Sequence, residues 1–209
     1  MYSFLLAGNR NEFSVAQIDV NAIAGIIDQL KLFSIVVLIS NDRSLEKLKQ
    51  SYPDLIFQFV PDDTSGALVT AAFGLSRVEL NQPFLVVPTN SRLADNLIEN
   101  FSISMASKKV TVGAIVFQGK DPVYSYARLG KINNVIEIVE KQVEGGCALA
   151  GVYYFSDKVS FEKCLRWALL NNVRTNGRFY ISPGLNYFLA NAVEVELFEV
   201  SEDDYLRIG

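Results

Sequence analysis

The sequence predicts an α/β fold: a mixed, mainly parallel sheet with helices on both faces and a β-hairpin excursion in the second half. Three observations predict it. Short apolar runs at 2–6, 35–39, 56–60 and 84–87 alternate with segments of helical period. Those runs are continuously apolar instead of alternating with polar residues, as strands buried on both faces must be. After Lys109 the helical intervals shrink and strand-like runs follow one another, which adds an antiparallel part.

Each element has a local reason. Tyr2 to Leu6 reads as a buried strand, and Ile23, Ile26, Ile27 and Leu30 recur at helical spacing behind it. Ile35 to Ile39 is β-branched except at Leu38. Ser44 to Gln50 is polar with Leu45 and Leu48 three apart, a short surface helix for which Ser44 is the expected N-cap. Ile56 to Val60 is the third strand and Leu68 to Leu75 its helix. Phe84 to Val87 is the fourth strand, and Leu93, Leu97, Ile98 and Phe101 are expected on one helical face. Val110 to Phe117 follows as a strand. Tyr124 to Leu129 and Ile132 to Val139 make a hairpin turning at Gly130-Lys131. Ala148 to Phe155 is a strand and Phe161 to Leu170 a helix, with Trp167 in its apolar pattern as a core residue. A helix begun by Pro183 is expected to carry Tyr187 to Leu189, since proline suits a first turn. Val193 to Val200 alternates with glutamates as a half-exposed strand near an edge.

Composition excludes several functions. The 209 residues are half hydrophobic and 20% charged, with a net charge of −4. That is one domain with a sizeable core and no basic tract to follow nucleic acid; Lys108-Lys109 is only a pair. No apolar run approaches membrane-spanning length, and Met1 to Leu6 is too short and uncharged for a signal peptide. Cys147 and Cys164 lack metal-ligand spacing and are expected reduced and buried in a cytoplasmic protein. Histidine is absent. Ser-His-Asp and Cys-His nucleophiles, histidine metal sites and histidine general bases are therefore excluded. Chemistry must rest on carboxylates, lysines, arginines, backbone amides and oxygen-bound cations.

In parallel sheets ligands sit beyond the carboxyl ends of the strands. Here those ends are Ala7-Gly8, Ser40-Asn41, Pro61-Asp62-Asp63 and Pro88-Thr89-Asn90. The stretch Thr64-Ser65-Gly66-Ala67 before a small-residue helix is where backbone N–H groups can meet a flat or anionic ligand. An ordinary βα turn with a packing glycine reads the same way.

In this order of elements the chain resembles the sugar-phosphate nucleotidylyltransferases, and the resemblance spans nearly its whole length. Phe4-Leu5-Leu6-Ala7-Gly8 looks like the first strand and the start of the signature loop, and Ile18-Asp19-Val20-Asn21 the entry to the first helix. Thr64-Ser65-Gly66-Ala67 matches the loop that reads the base, and Gln82 to Val87 the strand leading to the metal-binding aspartate. The second half is the closer match, through Gly113 with Asp121 to Tyr126, Val139-Glu140-Lys141, and Gly177 to Asn186 with its Phe-Tyr-Ile-Ser-Pro sequence. The resemblance implies a nucleotide-binding half at 1–107 and a sugar-binding half at 108–209.

It also implies the residues. Ala7, Gly8, Thr64, Gly66 and Ala67 would hold the nucleotide, with a pyrimidine the likelier base. Tyr124, Glu140, Lys141 and Asn186 would hold the sugar. Arg10 and Lys141 would be the catalytic residues, Arg10 at the phosphates and Lys141 with Asn186 at the acceptor, and Asn90 would hold a metal. From the residues alone, Glu140-Lys141 also reads as a surface pair, Asn186 as an ordinary helix residue, and Tyr124 and Tyr126 as cover for the sheet. Such an enzyme positions a sugar 1-phosphate against the α-phosphorus of a nucleoside triphosphate and neutralises charge.

This sequence departs from that pattern where the triphosphate should lie. Arg10 replaces the loop's second glycine, Glu12 stands where an arginine is expected, and Ser14-Val15-Ala16-Gln17 has no lysine. Asn90 stands in place of the metal-binding aspartate, so Mg²⁺ is expected to be weakly held or absent. Arg178 stands where relatives often have an acid. With the first residues aligned differently, Arg10 is the phosphate contact and Asp62, Asp63 or Asp95 the metal ligand. Two functions follow: an enzyme acting on a nucleoside triphosphate and a sugar phosphate in sugar-nucleotide and surface-polysaccharide metabolism, or a catalytically degenerate sugar-nucleotide-binding or regulatory module. Expected partners are a nucleotide or sugar nucleotide and a sugar phosphate, with neither nucleic acid nor membrane; a homo-oligomer is compatible with both.

Overall fold

The structure, a computed structural model, describes residues 1–7, 19–143 and 146–207. Among these residues a nine-stranded sheet runs in the order β10-β6-β9-β4-β1-β2-β3. Its strands are β1 (Tyr2–Ala7), β2 (Ile35–Ser40), β3 (Ile56–Phe59), β4 (Phe84–Pro88), β6 (Val112–Gln118), β9 (Cys147–Phe155) and β10 (Val195–Val200). β1 to β4 are mutually parallel, and β10 is parallel to β6. β9 is antiparallel to both its neighbours and joins the two parallel blocks. A hairpin of β7 (Ser125–Leu129) and β8 (Val135–Glu140) branches from β9 where Tyr126 pairs with Ala148. β5 (Ser91–Leu93) and β11 (Tyr205–Arg207) form a small separate antiparallel sheet.

The unbroken apolar runs exist because both faces of the sheet are covered. Phe4, Val37 and Val86 lie in register and point to one core, while Leu5, Leu38 and Val87 point to the other. The second core is closed by α1 (Val20–Leu30) through Ile23, Ile26, Ile27 and Leu30, and by α3 (Leu97–Ser107) through Ile98, Phe101 and Met105. The first is closed by α2 (Ala67–Ala72), α4 (Lys158–Leu170), α5 (Ile181–Gly184) and α6 (Asn186–Ala190). Asp19 caps α1, its Oδ1 accepting from the N–H groups of Asn21 and Ala22 at 2.9 and 3.1 Å. Trp167 packs beside Tyr187 against the first core. Cys147 and Cys164 are free and buried, and burial pushes the Cys164 thiol up to about 12. No helix among the described residues is long and apolar enough to cross a membrane.

Several expectations are corrected. Residues Arg43–Gln50 form a 3₁₀ helix, and Asp42, not Ser44, caps it by accepting from the Ser44 N–H at 2.8 Å. A carboxylate two residues further out reaches that N–H. Leu93 belongs to β5, because Asn96 takes a left-handed conformation (φ 65°) and α3 begins only after it. The hairpin turns over 130–134, closed by Gly130 N–H donating to Asn134 at 2.8 Å. The helix after β3 stops at Ala72 and a 3₁₀ turn covers Leu75–Arg77. Pro183 lies inside the first turn of α5, which starts at Ile181.

Candidate functional site

A cleft of about 530 Å³ opens at the carboxyl edge of β1, β3 and β4. One side is the segment Val60 to Ala67 with Pro88 to Asn90. The other is formed by Tyr124, Ser125, Glu140, Lys141 and the residues 178–182. Residues from both halves of the chain thus face one cavity.

Gly66 joins the two sides. Its backbone has φ 122° and ψ 169°, a region open essentially to glycine alone. A Cβ there would lie 2.7 Å from the Phe179 amide nitrogen and nearer still to its carbonyl oxygen. Phe179 N–H donates to Ser65 at 2.8 Å and Leu68 N–H donates back to Phe179 at 3.1 Å. One N–H of the first turn of α2 is therefore committed to the protein. Thr64 lines the cleft, but its hydroxyl is hydrogen bonded to Thr70, which donates to the Gly66 carbonyl at 3.0 Å.

Glu140 ends β8 opposite Ser125, in register across the hairpin. The hydroxyls of Ser125 and Ser182 both donate to its carboxylate, Ser182 at 2.6 Å, and both serines are buried. Tyr153 approaches Ser182 from beneath; burial first, then the Glu140 charge, raise its phenol above the ordinary range. Lys141 follows with φ 58°, left-handed and so strained for a side-chain-bearing residue, and its N–H donates to Tyr124 at 3.0 Å. Its Nζ donates to the Tyr180 hydroxyl at 3.3 Å and lies 5.2 Å from that ring's centre. The carboxylate is thus held by hydroxyls instead of by its sequence neighbour, leaving the ammonium at the cleft wall.

The remaining predicted residues fall in three groups. Ala67, Asn90 and Tyr124 line the cleft, Tyr124 with its ring edge-on to Phe117 and Tyr205. Ala7 ends β1 but faces the opposite core, and its carbonyl accepts from Ser40 Oγ at 2.5 Å; Leu6 takes its place at the cleft. Asn186 does not line the cleft. Its amide pairs with the β8 backbone, accepting from Ile138 N–H at 2.9 Å and donating to the Ile138 carbonyl at 2.8 Å. Its second amide N–H donates to the Pro183 carbonyl at 3.2 Å, so both protons are held by backbone and the structure lends the sugar contact expected of Asn186 no support. Tyr126 covers the sheet, donating to the Asp121 carbonyl at 2.8 Å. Gly8, Arg10 and Glu12 lie outside the described residues.

Sequence reasoning missed Ser125, Ser182, Tyr180 and Tyr153 as site residues. Ser125 had a signal, since a single serine between Tyr124 and Tyr126 on a strand opposite Glu140 must share the face of that acid.

The candidate Mg²⁺ ligands among the described residues are dispersed. No group of three His, Cys, Asp or Glu side chains among them comes together. Asn90 brings a neutral amide, and Glu140 is engaged by its serines. Asp63 accepts from Ser65 N–H at 2.8 Å, and Asp95 accepts from Gln29 at 2.9 Å in a separate groove between α1 and α3. Of the three aspartates Asp62 alone shares the cleft with Asn90, whereas Mg²⁺ asks for near-octahedral hard oxygen ligands with compensating charge.

No protein-family profile and no curated protein sequence matches the chain. Solved structures do match its fold. A nucleoside-diphosphate-sugar pyrophosphorylase from Vibrio cholerae RC9 superposes with a TM-score of 0.75 at 15% identity, over 99% of this chain and 95% of that one. A putative glucose-1-phosphate thymidylyltransferase from Bacillus anthracis, in complex with sucrose, gives 0.71 at 16% identity, over 95% and 86% of the two chains. A UDP-glucose pyrophosphorylase complexed with UDP-glucose gives 0.69 at 12% identity, over 95% and 89%. The chain has the fold of the sugar nucleotidylyltransferases.

Proposed function

We propose that the chain binds a sugar nucleotide in the cleft at the carboxyl edge of its sheet, without efficient nucleotidyl transfer. The base lies against Gly66 and Ala67, and the sugar against Glu140 and Lys141. One observation carries the reading: the Gly66 loop and the Glu140-Lys141 wall, distant in sequence, line the same 530 Å³ cavity. That volume is in the range of small-molecule sites. The polar groups on its walls are hydroxyls, amides, an ammonium, a guanidinium and the carboxylates of Asp62 and Glu140, a mixture that suits a polyhydroxylated, phosphorylated ligand. Slow transfer follows from the acids. A phosphoryl centre under attack needs its developing charge neutralised, and the described residues bring no carboxylate set for a metal.

The alternative is a working enzyme that joins a nucleoside triphosphate to a sugar phosphate. What favours it is the fixed Glu140-Lys141 pair, preorganised by Ser125, Ser182 and Tyr124.

Thermal melting with nucleoside triphosphates and sugar nucleotides, followed by pyrophosphate release, separates the two. A ligand at a hundred times its Kd stabilises by about 2.7 kcal/mol. At roughly 2–4 °C per kcal/mol, the melting temperature rises by about 5–10 °C. Pyrophosphate release is expected to fall on the order of a hundredfold or more below that of an intact relative. Absence of a shift with every nucleotide refutes binding, and rapid release with any sugar 1-phosphate establishes the enzyme instead.

A further inference from the structure

Arg178 lines the cleft, and its guanidinium has no hydrogen-bond or ion-pair partner among the described residues. Its backbone, by contrast, is tightly fixed. Asn176 and Gly177 have φ 50° and 76°, the positive angles of a two-residue hairpin turn. Thr175 and Arg178 exchange both main-chain hydrogen bonds across it, each at 3.0 Å. The next residue, Phe179, is buried and bonded on both sides to the Gly66 loop, and the Arg174 guanidinium covers its ring at 4.3 Å. Tyr180 then returns to the cleft in extended conformation and meets Lys141. The exposed, buried, half-exposed order of 178, 179 and 180 places Arg178 and Tyr180 on the same side of the chain. Arg178 and Lys141 therefore belong to one wall, both cationic, beside a cleft whose acids do not assemble a metal site.

We infer that Arg178 and Lys141 neutralise the ligand's diphosphate directly, so that this cleft binds a nucleoside diphosphate sugar without a divalent cation. The inference rests on the sugar-nucleotide reading above and adds the charge partner and the independence from metal. A guanidinium is always charged and binds phosphate oxygens through a planar fork, which an ammonium cannot reproduce. A solvated surface arginine needs no such fixed backbone and makes no contact that a ligand would lose.

The test is calorimetric titration of the whole chain with UDP-glucose, dTDP-glucose, CDP-glucose and GDP-mannose, each in EDTA and in MgCl₂. For the tightest binder, Kd is expected to agree within about twofold between the two buffers. Arg178→Ala should weaken it by about tenfold or more in both, as loss of a charge-assisted hydrogen bond does. Arg178→Lys should recover part of that loss, and the matching nucleoside, without phosphates, should bind all three proteins equally. Unliganded melting of the variants controls for folding. Binding that requires Mg²⁺, an Arg178→Ala protein with wild-type affinity, or an equal loss for the nucleoside would each overturn the inference and leave the binding reading intact. Failure of all four ligands in both buffers would refute that reading and this inference with it.

Discussion

Three glycines give a graded test of how the cleft is held together. Gly66 meets two penalties on replacement by alanine. Its φ of 122° and ψ of 169° cost a side-chain-bearing residue about 1–3 kcal/mol. The new Cβ would also drive into the Phe179 backbone, which cannot swing aside as a side chain would, because it is bonded to Ser65 and Leu68. Relieving the overlap breaks those two bonds, at roughly 0.5–1.5 kcal/mol each. Gly66→Ala should therefore destabilise by about 2–6 kcal/mol and lower the melting temperature on the order of 10 °C. Gly177→Ala is the control for the backbone term alone, having φ 76° and open space where the Cβ would go. It should cost about 1–2 kcal/mol. Gly25 lies inside α1 with nothing near its would-be Cβ, so Gly25→Ala should stabilise by about 0.5–1 kcal/mol. Calorimetric melting of the three proteins reads the order directly. A Gly66→Ala protein no less stable than Gly177→Ala would refute the claim that the two walls of the cleft meet at this residue.

Asn186→Ala should cost about 1–3 kcal/mol in urea unfolding, because it leaves the buried Ile138 N–H and carbonyl unpaired; a loss below about 0.5 kcal/mol, that of an ordinary surface substitution, would show that water replaces the amide. Asp157 caps α4. Burial opposes its ionisation, but hydrogen bonds from Ser156, from Ser160 and from the Val159 N–H outweigh that and hold the carboxyl below 3.8. Its stabilising share is thus full above that ordinary value and is lost as pH falls through the lowered one. Asp157→Ala should be about 1 kcal/mol less stable at neutral pH, with the deficit shrinking below pH 3.8; a deficit unchanged into acid would refute the charged cap.

The sheet was legible because burial on both faces forces uninterrupted apolar strands, a signal that survives local detail. Helix ends were less so. Whether Asp42 or Ser44 caps the 3₁₀ segment depends on one carboxylate reaching an N–H two residues on, and both residues fit the same composition. Leu93 sits at helical spacing from Leu97, yet pairing with Tyr205, more than a hundred residues later, makes it a strand. Spacing in sequence cannot report a partner that distant.

The site was legible where residue type and position along a strand were both informative. Glu140 and Lys141 stood out as a charged pair after an apolar strand, and Gly66 as a glycine between a strand and a helix. Asn186 shows how the same reasoning fails. An amide in a helix near a site suits a hydroxyl and a backbone equally well, and its function is decided by which of them lies within 3 Å. Here it is β8, which has β7 on one side only; Asn186 bonds its Ile138 as a further strand would. Arg178 is the converse. As a departure from the resemblance it looked like a loss, yet the Asn176-Gly177 turn and the Phe179 bonds hold its backbone at the cleft beside the Lys141 wall. Where the resemblance leads one to expect an acid and the chain carries a cation on a fixed turn, the charge expected of a bound ligand changes with it.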